Sequence, residues 1–524
     1  MRLEMDFATF LLFLISVLII ICFFFISSTS PSASKTPCPE SYPIIGNLPG
    51  FLRNRHRFHD WVTDMLSQTP SSTVQVNSFF SHGICTANPI NVEHLLVTNF
   101  SNYVKGSRFL NVLYELLGHG IFNVDGHLWT LQRKIASHEF NTKSLKHFIS
   151  DMVKSEMANT LLPNLSKACD ENSVFDLEQV LGKFTFSTIC KVAFGIDLQT
   201  MPYLPFAKAF DDAVENCFSR FLSPFPPIWK LKRLFNIGSE KRFKEDIKTI
   251  NEFAMEIMKS KQQEENSSER VAKNQDLLSR FMLLSSNLEF QDQEHKTKFL
   301  RDIIISFVLA GKDTTSTALT WFFWLVAGNP RCAHLIYQEL SEVASPPDAE
   351  AVPEARTFSY DELKKLHYLH AALSESMRLF PPVAINSRLT IDNDVLPDGT
   401  RVGKGWFADY SAYAMGRMER VWGQDCRAFK PERWLDIDRK YQPCDQFRFP
   451  VFHCGPRTCL GKDLASIQMK AIAAAVMYEF EIVPVDGGAS AEKMMNPPYI
   501  TTLLLKMKGG FPIRLKRRDR DGYI

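Results

Sequence analysis

The stretch Phe452-His-Cys-Gly-Pro-Arg-Thr-Cys-Leu-Gly461, followed by the apolar run Lys462 to Phe480, decides how the rest of the chain is read. It sets the thiol of Cys459 between two glycines, at what reads as the start of a helix. Backbone N–H groups and the positive end of a helix dipole favour a thiolate at such a place. Gly455 and Gly461 let the backbone approach a flat ligand where a Cβ would obstruct it. Phe452 offers a ring to shield the sulfur, and Arg457 brings a fixed positive charge. A shielded thiolate beside a guanidinium suits the axial position of a haem iron, with the arginine on a propionate. A lone cysteine is ordinarily a small buried hydrophobe. His453, Cys454 and Cys444 also raise a zinc site, but the stretch has no C-x2-C pair and no second histidine at ligand spacing.

Other stretches carry the polar residues that such a site needs. Trp129 and Arg133 stand four apart, on one face of a helix expected over His127 to Phe140. Phe299 to Ala327 is nearly continuous apolar sequence, interrupted at Gly311-Lys-Asp-Thr-Thr-Ser-Thr317. Polar residues inside a long buried helix are costly unless they serve something. Gly311 weakens that helix by about 1 kcal/mol relative to Ala, and Thr314 and Thr315 can hydrogen-bond back onto the preceding turn. The groove expected there has room for dioxygen and a water, with Asp313 and Thr314 as an acid–alcohol proton relay. Glu375 and Arg378 lie at i, i+3 just before Pro381-Pro382, which ends their helix. Arg433 follows in Phe429-Lys-Pro-Glu-Arg-Trp434.

In chain order these strings read W-x-x-x-R, A-G-x-D-T-T, E-x-x-R, P-E-R and F-x-x-G-x-R-x-C-x-G, and together they resemble the cytochrome P450 superfamily. The resemblance spans nearly the whole chain. It implies a mainly α fold with small β-sheets and a haem b whose iron is held by the Cys459 thiolate. It places Trp129, Arg133 and Arg457 at the haem propionates, with Phe452 and Gly461 shaping the thiolate loop and Arg388 as a further propionate candidate. It makes Glu375, Arg378 and Arg433 a buried structural triad that locks this loop. It also implies O2 and NADPH as co-substrates, with electrons from a membrane-bound NADPH–cytochrome P450 reductase docking on a basic face.

The connecting text, including GIFNVDGHLWTLQRKIASHEF and DNDVLPDGTRVGKGW, is similar to plant fatty-acid ω-hydroxylases, a clan that also oxidises jasmonoyl–amino acid conjugates. The reaction so implied is hydroxylation of the terminal carbon of a fatty acid or a related lipid-derived carboxylate. A terminal C–H is stronger than its neighbours, so selectivity must come from a channel that positions the chain end. Phe307, Ala310, Val383, Ala384 and Thr501 are candidates to line it, and each reads equally as core packing. One departure is visible: relatives follow the proline pair with V-P and then an acidic and a basic residue, where this chain has Val383-Ala-Ile-Asn386 and then Arg388. Two rivals are a haem-thiolate isomerase or dehydratase, which usually lacks the acid–threonine pair, and a haem protein without turnover.

The 524 residues are 45% hydrophobic, enough for a large core, and 60 Lys+Arg against 58 Asp+Glu leave a net charge of +2. That balance argues against a nucleic-acid binder driven by bulk charge. The 11 cysteines, an odd number without paired spacing, suggest a reducing compartment. Phe7 to Ile26 is apolar apart from Thr9 and Ser16, long enough to cross a ~30 Å hydrocarbon core. A cleaved signal peptide is the alternative, since small residues follow it. Lys35, Arg53, Arg55 and Arg57 lie after the span, which puts the body in the cytosol; the resemblance implies that the membrane is that of the endoplasmic reticulum. Prolines at 31, 37, 39, 43 and 49 make a stiff strut. The expected organisation is a membrane anchor over 1–30, a hinge over 31–50 and one catalytic domain over 51–524. Phe218 to Phe235, apolar with Lys230, Lys232 and Arg233 at its edge, reads either as a membrane-resting surface or as a buried helix–helix turn. Gln262 to Gln275 and Pro346 to Arg356 read as solvated loops, and no internal repeat is present.

Overall fold

The computed structural model describes residues 38–42, 45–78, 81–140, 143–197, 203–223, 225–265, 276–285, 292–344, 355–485 and 496–518. The expected anchor and the parts of the proline strut at 31–37 and 43–44 lie outside these residues, and the helix Leu48–Asn54 begins within the strut's last residues. Among the described residues no helix is long and apolar enough to cross a membrane. The fold is mainly helical, with one five-stranded sheet and three small ones. Every described cysteine is free.

The expected long apolar helix is two helices in line, Gln293–Gly311 and Thr314–Ala327, parted at Lys312 and Asp313. The second is buried on nearly all sides, as a helix apolar all round must be. Trp321 stacks on Phe380 with centroids 4.4 Å apart, and its indole N–H donates to the Leu505 carbonyl at 2.7 Å. The small residues Ala471, Ala473, Ala474 and Ala475 are buried in the helix Lys462–Glu479, which packs against it. The helix Leu177–Phe194 crosses at the break and is capped by the Asp176 carboxylate and by Gly195 at φ 67. A Cβ on Gly311 would lie 2.5 Å from Ile189 Cγ1, and the Thr185 hydroxyl donates to the Lys312 carbonyl at 2.5 Å. Gly311 therefore does more than weaken a helix, because it lets a second helix come close enough to supply a partner for a carbonyl freed by the break.

The five-stranded sheet runs in the order Thr73–Ser78, Ser81–Thr86, Phe407–Tyr410, Asn386–Thr390 and Tyr103–Val104. Ser81–Thr86 and Phe407–Tyr410 are parallel and the other pairs antiparallel. Opposite Ala408, Arg388 points to one face while its neighbour Leu389 points to the other. The hairpin Asp394–Val395 with Arg401–Val402 is tied down through Asp394, whose carboxylate accepts from His94 at 2.8 Å, Asn99 at 2.9 Å and Tyr103 at 2.7 Å.

Between the helices Tyr203–Phe221 and Gly238–Glu265 lies a short helix, Pro226–Leu234, with no buried residue. Ile228, Leu231, Leu234 and Phe235 are all exposed, so this segment is not the buried turn that its sequence equally allowed. Pro205 sits in the first turn of Tyr203–Phe221, where its missing N–H costs nothing. The helix ending at Glu265 also runs past Gln262, where a loop was expected, and 266–275 lie outside the described residues.

Two outcomes follow from this packing. Gly311→Ala gains helix propensity but overpacks Ile189, so a net loss of about 1–2 kcal/mol is expected, recovered in part by Ile189→Ala; chemical denaturation of the single and double variants measures it. The Asp394 carboxyl is raised by burial but held below its ordinary 3.8 overall by the bonds from His94, Tyr103 and Asn99. A depressed carboxyl stabilises above its ordinary value and loses that contribution as pH falls through the folded value. The melting-temperature gap between the protein and Asp394→Asn should be full at pH 5–7 and close below about pH 4.

Candidate active site

Cys459 lies in a tight loop ahead of the helix Lys462–Glu479, whose N-cap is Gly461. Its N–H donates to the Phe452 carbonyl at 2.8 Å, and the Thr458 hydroxyl donates to the Gly455 carbonyl at 2.7 Å. The two glycines have different tasks. Gly455, at φ 63, abuts the backbone of Leu96, so a Cβ there would strike protein. At Gly461 a Cβ would meet only Cys459 Sγ, at 4.0 Å, so only this glycine keeps a face beside the sulfur open. His453 is held at φ 59 and ψ −177, a conformation that few residues but glycine adopt. Its Nδ1 lies 3.4 Å from the Tyr410 hydroxyl.

Burial pushes the Cys459 thiol up, and the Gly461 N–H, Arg133 and Lys462 pull the other way without overcoming it. A bound metal ion would favour the thiolate by taking the thiol's proton off.

Around this loop cations outnumber acids. Lys105, Arg133, Arg388 and Arg457 all bear on His453, whose imidazole is pushed down to about 3 by burial and then by these charges. Among the described residues Asp125 is the one acid with a direct contact to them: it accepts from Arg457 at 2.7 Å and from the backbone N–H of Lys105 and Gly106 at 3.0 and 2.8 Å. Arg388 is fully buried, and its Nε and Nη2 have no hydrogen-bond partner; nor does Arg457 Nε. Buried, unpaired guanidinium donors are costly, and a flat macrocycle carrying two carboxylates would satisfy them. The residues present therefore fit a haem. Trp129 lies under Arg457, 4.5 Å from guanidinium carbon to ring centroid, and Arg133 donates to the Thr458 carbonyl. The sequence singled out Arg133, Arg388 and Arg457 but missed Lys105 and Asp125. Asp125 stood in view before the helix of Trp129, while Lys105 carries no motif.

The triad forms as expected and is larger. Arg378 makes a two-pronged pair with Glu375 at 2.7 and 2.8 Å, both side chains fully buried. Arg433 reaches Glu375 at 3.4 Å and Asp425 more closely, at 2.9 Å. The indole N–H of Trp434 also donates to Glu375, at 2.9 Å. Trp434 packs edge-on against Phe449, 4.8 Å between centroids, and Phe449 immediately precedes Pro450–Phe452. Through these contacts Glu375 braces the cysteine loop.

At the helix break the Thr314 hydroxyl donates to the Ala310 carbonyl at 2.6 Å, the back-bond expected from sequence. Asp313 does not face Thr314. Its carboxylate is held by Lys312 at 2.9 Å and lies 3.9 Å from Lys506, while Lys312 also pairs with Asp211 at 2.6 Å. The five channel candidates divide. Ala310 is exposed, and Val383 and Thr501 are half-buried. Thr501 lies in the hairpin of Tyr499–Thr501 and Leu505–Met507, which the Leu505 N–H ties to the Pro382 carbonyl at 2.9 Å. Two are corrected: the ring of Phe307 packs among Phe140, Phe194 and Phe281, and Ala384, in the loop ahead of the strand Asn386–Thr390, is buried in the main core.

A family model, cytochrome P450, matches residues 36–511. The chain belongs to the cytochrome P450 family. This P450 is 43% identical over 491 residues to cytochrome P450 94A1 of Vicia sativa, covering 92% of this chain and 91% of the relative. It is 40% identical over 513 residues to cytochrome P450 94B1 of Arabidopsis thaliana, covering 96% of each. It is 42% identical over 465 residues to cytochrome P450 94C1 of the same plant, covering 88% and 89%. It is thus a cytochrome P450 monooxygenase, and the family implies haem-thiolate ligation.

Removing Glu375 leaves Arg378 buried without its carboxylate, a cost of about 3–5 kcal/mol. Glu375→Ala should yield protein with little haem, measured as the Soret-to-protein absorbance ratio. Full haem incorporation by that variant would refute the bracing role.

Proposed function

We propose that this P450 hydroxylates the terminal carbon of fatty acids or related lipid-derived carboxylates, using O2 and electrons from NADPH through NADPH–cytochrome P450 reductase. The observation that carries the reading is the similarity of its connecting segments, across nearly the whole chain, to plant fatty-acid ω-hydroxylases. A jasmonoyl–amino acid conjugate is the second substrate reading, favoured by the same clan and by Asn386 standing where relatives carry an acid. The Asn386 side-chain amide nitrogen is buried without a partner, free to donate to an acceptor where those relatives would offer a charge.

The haem, when bound, supplies oxygen activation and hydrogen abstraction at carbon. The chain's own residues hold it and govern protons. Cys459 is the iron ligand, and Lys105, Arg133, Arg388 and Arg457 are the cations for its propionates. Thr314 spends its proton on the Ala310 carbonyl, so its oxygen is left to accept from a water. Asp313 can pass a proton toward Thr314 only after leaving Lys312, which Asp211 is placed to retain. A proton relay that opens and closes in this way suits dioxygen chemistry, and a haem isomerase has no use for it.

The exposed Ile228, Leu231, Leu234 and Phe235, with Lys230, Lys232 and Arg233 beside them, suit contact with a membrane surface. With the apolar run Phe7 to Ile26, they support a place on the endoplasmic reticulum membrane with the catalytic body on the cytosolic side.

Microsomes bearing the protein and its reductase, supplied with NADPH and lauric acid, oleic acid or jasmonoyl-isoleucine, should form terminal alcohols from at least one of them. Product formed without NADPH would instead indicate isomerase chemistry. Thr314→Ala should keep consuming NADPH while terminal alcohol per NADPH falls about tenfold.

A further inference from the structure

A cavity of about 470 Å³ opens between the exposed helix Pro226–Leu234, the start of the helix Gly106–Leu117 and the strand edge at Phe407. That volume is in the range of small-molecule sites. Its walls are aromatic, with Phe221, Trp229, Trp406 and Phe407, and no aspartate or glutamate lines it. Its cations are Arg108, Arg220, Lys230 and Lys404. Two of these are already engaged: Arg220 is buried against Glu240 and Glu115, and Lys404 pairs with Asp392 at 3.2 Å.

Arg108 is different. It makes no ion pair among the described residues, its Nε is buried without a hydrogen-bond partner, and its guanidinium carbon lies over the Phe407 ring, 4.5 Å from the centroid. The nearest acid that feels it is Asp409, whose carboxyl is raised by burial and only partly lowered by Arg108; no ion-pair contact joins them. An arginine stacked on a ring keeps its planar fork oriented and its donors available for a carboxylate. Val112, which also lines the cavity, sits on the helix Gly106–Leu117, and that helix packs against the helix Gln293–Gly311.

We infer that this cavity is the entrance site for the acid end of the substrate, and that the Arg108 guanidinium, with Lys230 near it, holds a carboxylate there while the acyl chain runs inward. A lipid acid oxidised at its far carbon must enter tail first, which leaves its carboxylate trailing at the mouth. The cation and the aromatic walls answer those two ends. This assignment rests on the proposed terminal hydroxylation, and it makes Arg108 a specificity residue that sets how far the chain reaches.

The test compares lauric acid with its uncharged methyl ester on the holoenzyme. Dissociation constants come from the substrate-induced shift of the haem spectrum, and the position of the hydroxyl group from product analysis. The protein should bind the acid in preference to the ester, and Arg108→Leu should lower that preference about tenfold and shift product away from the terminal carbon. Arg108→Lys, which keeps the charge, should restore most of the preference. An acid-to-ester ratio unchanged in Arg108→Leu overturns the inference, as does equal weakening toward both ligands, which would mark a packing role. If the unmodified protein forms no terminal alcohol, the terminal-hydroxylation reading fails. The binding ratio still decides whether Arg108 holds a carboxylate, because it needs no turnover.

Discussion

The carboxylate of Glu375, sealed from water, is the point on which the proximal half of this fold depends. Its oxygens receive Arg378, Arg433, the Trp434 indole and the backbone N–H of Lys430. Arg378 spends its remaining donors on the carbonyls of Gly416, Cys426 and Ala428. One buried charge pair thereby organises a long stretch of chain that has little regular secondary structure of its own. Buried ion pairs contribute little net stability but are costly to break, so this one acts as a specifier of loop geometry. Its output, through Trp434 and Phe449, is the placement of a single sulfur.

A second electrostatic fact complements the first. The other side of the same loop gathers cations without enough acids to balance them, and leaves arginine donors buried and unsatisfied. A polypeptide does not maintain such a cluster for its own stability. A dianionic prosthetic group would resolve the imbalance, and its uptake would then be coupled to the final ordering of Lys105, Arg133, Arg388 and Arg457.

Much of this was legible in the chain. The helix carrying Trp129 and Arg133, the triad and the break at Gly311 follow from local spacing and patterning, and the structure has them. What spacing could not give was three-dimensional direction. Asp313 is beside Thr314 in sequence, yet it turns to Lys312 and Lys506, because a hairpin nearly two hundred residues later brings the second lysine. Phe307 and Ala384 read equally as channel or core, and only the packing of other helices decides for core. Gly455 looked like a glycine for a ligand but is required by the backbone of Leu96. Arg108 carries no motif at all, and its environment is assembled from four separate segments. The apolar run Phe7 to Ile26 lies outside the described residues, so the anchor rests on sequence.

The backbone at His453 carries a further consequence. A side-chain-bearing residue set at φ 59 and ψ −177 holds of the order of 1–3 kcal/mol of torsional strain, six residues ahead of the iron ligand. The loop is therefore bent against its own local preference and held so by its surroundings, the Tyr410 hydroxyl and the Glu375 bracing among them. A bound prosthetic group would add to what holds that spring cocked, besides making a bond.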